Sequence, residues 1–231
     1  MSVVVHLLRH GRVDSHRGDV PLSANANVEI ERAADRLAPL VGEGGRVEFL
    51  STATRRTRDT AEGLRGLLAM TAGQAELVPA RPEWAIRNPD VLLAGHRVEM
   101  VSSAKAYVDQ LPAGLLSEPD VERVGFFREF ISAPDRIGFW LNHAEPPGED
   151  GRAVARRIMA FCRSLADRPE SDGTRYVCVT HSPVLRAFVT AYLLDADPGE
   201  PEYVEAIDVT VGERETTVGF RDRTASVPHR T

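Results

Sequence analysis

Two apolar runs constrain the fold most, because each leads straight into a histidine. Val3-Val4-Val5-His6-Leu7-Leu8 precedes Arg9-His10-Gly11, and Tyr176-Val177-Cys178-Val179-Thr180 precedes His181-Ser182. Short, Val-rich and continuously apolar, both runs read as strands buried on two faces, as in a parallel sheet. Open α/β sheets bind ligands just beyond the carboxyl ends of their strands. If the two strands are neighbours, two imidazoles and a guanidinium meet at one edge of the sheet.

A chain of 231 residues fits one α/β domain, here 1–231, carrying a large insertion. Its formal charge of −6 argues against nucleic-acid binding, which favours basic chains. Cations are nearly all arginine, with Lys105 the single lysine. Cys162 and Cys178 match no zinc spacing and read as buried free thiols. No apolar run approaches the ~18 residues of a membrane helix, and no signal segment precedes the first strand, so a cytoplasmic protein without a membrane partner is expected.

Along the chain, Ser23 is the expected N-cap of a helix over 24–41, and 47–50 reads as a second strand. A helix over 53–70 and a short strand at 76–79 follow. Residues 81–147 lose the rhythm and read as a mainly helical insertion, a cap, with helices at 97–110 and 118–132. Its aromatic residues, Phe126 to Trp140, are expected to form core. A helix over 149–167, the strand at 176–180 and a helix opening at Pro183 come next. A hairpin joins 203–211 to 215–220, and the tail from Arg221 is expected to fray. The predicted fold is a three-layer α/β/α sandwich with a mostly parallel sheet. His6, His96, His143 and His229 are read as structural.

The strand at 47–50 feeds Thr54-Arg55-Arg56-Thr57-Arg58, so guanidiniums join the two imidazoles. The natural ligand of such a site is a phosphoryl group. A neutral histidine can attack phosphorus, and flanking arginines stabilise the charge that shifts onto its oxygens. No metal or other cofactor is required.

Four motifs in order resemble the histidine phosphatase superfamily, the phosphoglycerate mutase-like proteins named for Arg-His-Gly. Leu7-Leu8-Arg9-His10-Gly11 resembles the first motif, and Asp19-Val20-Pro21-Leu22-Ser23 the Pro-Leu-Ser/Thr segment that opens the first helix. Ser51-Thr52-Ala53-Thr54-Arg55-Arg56-Thr57-Arg58-Asp59-Thr60-Ala61 resembles the second-arginine motif. Val179-Thr180-His181-Ser182 with Val184-Leu185-Arg186 resembles the second-histidine motif, with Ser182 where Gly is commoner.

The resemblance implies a phosphatase acting through a phosphohistidine on His10. Arg9, Arg56 and His181 would hold the phosphoryl group, with Arg55 the runner-up to Arg56 and Gly11 and Ser182 secondary. The implied proton donor is Glu83 in Arg81-Pro82-Glu83, with Asp90 and Glu99 as alternatives. Glu149 resembles a non-catalytic family position. After Arg-His-Gly the family often has Glu-Thr-x-x-Asn, where this chain has Arg12-Val13-Asp14-Ser15-His16. The fourth phosphate ligand is then His16, Ser15 or Arg17. The implied partner is a phosphorylated small molecule or a phosphoprotein; a homodimer is left open. A phosphomutase of the same fold and a non-catalytic phosphate-ligand or protein-binding module are the alternatives.

Overall fold

The computed structural model describes residues 2–15, 18–41, 45–169 and 171–229. The chain opens with strand β1 (Val3–Arg9), helix α1 (Ala26–Leu37), strand β2 (Arg46–Ser51), helix α2 (Arg55–Thr71) and strand β3 (Glu76–Pro82). The N-cap of α1 is Asn25 rather than Ser23. Ser23 is buried, and its carbonyl, not its hydroxyl, meets the helix by accepting from the Ala26 amide.

The insertion follows. It begins with a hairpin of β4 (Val91–Leu93) and β5 (His96–Val98), then helices α3 (Ala104–Val108), α4 (Glu118–Arg123), α5 (Gly125–Ser132) and α6 (Arg136–Asn142). The helix expected over 97–110 is therefore largely a strand and a loop, with only 104–108 helical. Ala94 and Gly95 both take left-handed backbone, the two-residue hairpin geometry, and alanine does not advertise that turn. The helix expected over 118–132 is broken at Val124, whose backbone is extended. The expected aromatic core is present: Phe126, Phe127, Phe130 and Trp140 are all buried.

Helix α7 (Gly151–Leu165), strand β6 (Arg175–Thr180) and helix α8 (Ser182–Val189) return the chain to the sheet. Strands β7 (Ala206–Val211), β8 (Glu215–Phe220) and β9 (Arg223–Pro228) end it. The last corrects the frayed tail expected after Arg221. It is an edge strand with a mostly exposed side-chain pattern, so it lacks the apolar alternation that marks a strand in sequence.

The seven strands lie in the order β3-β2-β6-β1-β7-β8-β9. The block from β3 to β1 is parallel, and β7, β8 and β9 extend it antiparallel. Side chains along β1 alternate between two cores. Val3, Val5 and Leu7 join the core under α7, α8 and the insertion, while Leu8 joins that under α1 and α2. Burial on both faces explains the continuous apolar run, and truncating Leu7 to Ala would cost about 2–5 kcal/mol.

The insertion leaves and re-enters the fold at one place. Val91 bridges Gly148, and the Glu149 amide donates to the Asp90 carbonyl at 2.7 Å. Gly148 has φ 135°, and a Cβ there would collide with the Asp90 carbonyl, so no other residue fits this crossing. Cys162 and Cys178 are buried free thiols, and burial pushes the Cys162 pKa up to about 12. Among the described residues no helix is long and apolar enough to cross a membrane.

Candidate active site

Register assembles the site. Arg9 pairs with Thr180 across β1 and β6, Ser51 with Val179 across β2 and β6, and Ser51 with Pro82 across β2 and β3. The strands therefore end level, and the next residues, His10, His181, Thr52 and Glu83, emerge along one edge. The His10 amide donates to the Thr180 carbonyl at 3.0 Å, and the Glu83 amide to that of Ser51 at 2.7 Å. His10 and His181 lie edge to face, ring centroids 5.3 Å apart.

His10 Nδ1 lies 2.7 Å from the Gly11 carbonyl oxygen. A carbonyl only accepts, so Nδ1 carries the proton, and in the neutral ring the lone pair is on Nε2. His181 is set the opposite way. Its Nδ1 faces Arg56 at 3.4 Å, a donor that does not give up its proton, so Nδ1 accepts. The Nε2 proton then goes to Thr52 Oγ1 at 3.1 Å.

Arg56 is buried, and burial lowers its pKa, although Glu99 and Asp19 offset part of this. Its Nε, like that of Arg9, is buried without a hydrogen-bond partner among the described residues. Two unsatisfied buried guanidinium donors beside two histidines fit a phosphoryl oxygen. Arg56 is fixed from behind: Thr60 Oγ1 donates to its carbonyl and accepts the Gly11 amide. Gly11 thus ties the first loop to α2 and does not turn its amide to the cavity. Arg55, one residue earlier, points outward to Asp59.

Arg9 is held by Glu200 through NH2 at 2.8 Å and by the Pro201 carbonyl through NH1 at 2.6 Å, and it stacks 4.0 Å above Tyr203. Glu200 also accepts from Ser182 Oγ at 2.6 Å. Glu200 and Tyr203 went unnoticed in the sequence because they sit in an irregular loop after α8 with no periodic signal. Asn88 was missed as well: its Nδ2 donates to Glu99, and its Oδ1 is buried without a hydrogen-bond partner among the described residues.

These groups enclose a cavity of about 720 Å³ lined by Arg9, His10, Arg56, Asn88, His181 and residues of the insertion. Glu83 and Glu99 line an adjoining cavity that also reaches His181. Glu83 Oε1 accepts the Ala85 amide at 3.0 Å and Oε2 faces Arg81 at 3.1 Å. Asp90 is drawn away to Arg87 and Arg97, whose hydrogen bonds outweigh burial and lower its pKa. Glu149 pairs with Arg157 and braces the base of the insertion. Ser15 lines the main cavity; His16 and Arg17 lie outside the described residues. His6 packs under the sheet with Nδ1 2.7 Å from Asp208.

The sequence profile of the histidine phosphatase superfamily (branch 1) matches residues 126–215, a segment that includes the His181 motif. The matched segment and the fold are those of the histidine phosphatase superfamily. No curated protein sequence matches the chain. Solved structures overlay almost its whole length. A mycobacterial hydrolase shares 17% identity over 91% of this chain and 92% of its own, with TM-score 0.55. A mycobacterial glucosyl-3-phosphoglycerate phosphatase in complex with inorganic phosphate shares 19% over 89% and 88%, with TM-score 0.53. A phosphoglycerate mutase from Bacillus anthracis shares 16% over 91% and 88%, with TM-score 0.51. Identities this low speak to the histidine phosphatase fold alone.

Proposed function

We propose that the chain is a metal-independent phosphatase that hydrolyses a phosphomonoester of a small molecule through a phosphohistidine on His10. The observation that carries this reading is the opposed setting of the two imidazoles. His10 gives its Nδ1 proton to Gly11, which leaves an Nε2 lone pair as nucleophile, and His181 is oriented by Arg56 and Thr52 beside it. The cavity volume is that of a small-molecule site.

In the first step Nε2 attacks phosphorus and the bond to the leaving oxygen breaks. Arg9 and Arg56 meet the equatorial oxygens as their charge shifts, and His181 joins them by turning its Nε2 proton from Thr52 to a phosphoryl oxygen. A carboxylic acid delivers a proton to the leaving oxygen. Glu83 fills that role here and Glu99 is the alternative, since both line the cavity that reaches His181. In the second step water attacks the phosphohistidine, the same carboxylate accepts its proton, and phosphate departs.

The test is release of phosphate from a chromogenic phosphomonoester in the presence of a chelator. Turnover that His10→Ala abolishes supports the reading; no turnover from a broad panel of phosphomonoesters overturns it. The donor is resolved by leaving group. Glu83→Gln should slow an alkyl phosphate much more than 4-nitrophenyl phosphate, whose phenolate needs no proton. The same split in Glu99→Gln, absent from Glu83→Gln, would reassign the role.

A further inference from the structure

The insertion contributes one cation to the wall of the main cavity. Arg136, the first residue of α6, lines the same space as Arg9, His10 and Arg56. Its Nε donates to the Ile131 carbonyl at 3.3 Å, which anchors the side chain, while its terminal nitrogens meet no carboxylate among the described residues. The adjacent Asp135 does not neutralise it. Both Asp135 oxygens are committed to Arg186, Oδ1 at 2.8 Å, and Oδ1 also caps α6 by accepting the Gly138 amide. Of the other carboxylates at this cavity, Glu200 is bound to Arg9 and Ser182, and Asp14 is an exposed group on the first loop.

Apolar side chains line the wall with Arg136: Met100, Val101, Phe130 and Ile137. A ligand in the cavity would therefore meet cations at the histidine floor, a greasy wall, and a further guanidinium. Arginine offers a planar fork that matches carboxylate and phosphoryl oxygens.

We propose that Arg136 binds a second anionic group on the leaving moiety. The substrate class is then a phosphomonoester with an apolar body that carries a carboxylate or a second phosphoryl group. This rests on the phosphatase reading above for the position of the first phosphoryl group.

The test is calorimetric binding, which does not depend on turnover. The probes are n-alkylphosphonates of two to eight carbons and their ω-carboxy and ω-phosphono counterparts, titrated into wild type, Arg136→Gln and Arg136→Lys. At one chain length the ω-anionic ligand should bind wild type roughly tenfold or more tighter than its neutral counterpart. Arg136→Gln should bring that ratio to within about twofold, and Arg136→Lys should restore part of it. Whether the preferred end group is carboxylate or phosphonate identifies the anion. A ratio near one at every length in wild type, or one kept by Arg136→Gln, overturns the proposal while leaving the phosphatase reading intact. Failure of every phosphonate to bind wild type overturns both.

Discussion

At the floor of the cavity every group sits within a residue or two of a regular element. His10 follows β1, His181 follows β6, and Arg56 is the second residue of α2. Positions there are dictated by parallel register and by a core packed on both faces. The roof is built differently. Its contributors come from short helices and loops of the insertion, rooted at Val91 and Gly148 and fastened to the body by Arg186 on α8. That guanidinium is buried. Burial works against its charge, and the hydrogen bonds to Asp135 and Asp197 outweigh burial and raise its pKa. On the proposed function the contrast is a division of labour: the sheet edge would set the chemistry and the insertion would set which ester reaches it.

Substitutions on the floor should then remove activity with little loss of fold. His10→Ala should lower turnover at least about a thousandfold, measured with a chromogenic ester. Arg56→Ala should cost roughly 10²–10³-fold, as expected for a donor aimed at developing phosphoryl charge, whereas Arg55→Ala should change kcat/KM less than about threefold. Equal effects at 55 and 56 would break the register argument.

A substitution in the fastening should act on stability first. Arg186→Met leaves Asp135 and Asp197 without their partner and should lower unfolding free energy by about 3 kcal/mol in denaturant titration. The same contact carries a pH signature. The hydrogen bond from Arg186 holds the Asp135 carboxyl below its ordinary range. A depressed folded pKa gives stability above the unfolded value of ~3.9 and loses it as pH falls through the folded value. The melting-temperature gap between wild type and Asp135→Asn should therefore be widest near neutral pH, begin to narrow below about pH 4 and close only once pH is below the depressed folded value. A gap that persists there would show that Asp135 acts through shape rather than charge.

The smallest expected effect lies where floor and loop meet. Glu200 is half exposed yet holds Arg9. Glu200→Gln should lower KM a few-fold, because a phosphoryl group no longer competes with a carboxylate for that guanidinium. A higher KM would instead make Glu200 the residue that orients Arg9.

The same contrast explains what could be read from the sequence. Strands buried on both faces announce themselves as apolar runs, so β1, β6 and the polar residues at their ends were legible, as was the inward register of Arg56 from Thr60-Ala61. The insertion's hairpin was not, since it turns on Ala94-Gly95 and not on a sequence typical of such turns. Glu200 and Asn88 act through contacts far away in the chain or in loops, where no periodicity marks them. The proton donor stayed open for a geometric reason. Glu83 leaves β3, three strand spacings or roughly 14 Å of backbone from His10, while Glu99 approaches from the roof, so sequence position ranks neither.

The proposed function rests on His10 as the nucleophile, and rapid acid-free quenching during turnover of a phosphorus-labelled ester tests that most directly. If His10 is the nucleophile, quenching captures a labelled protein whose phosphoryl group is stable in base and labile in acid, maps to His10, and is missing from His10→Ala. Steady phosphate release with no labelled protein, or label that survives in His10→Ala, would contradict it.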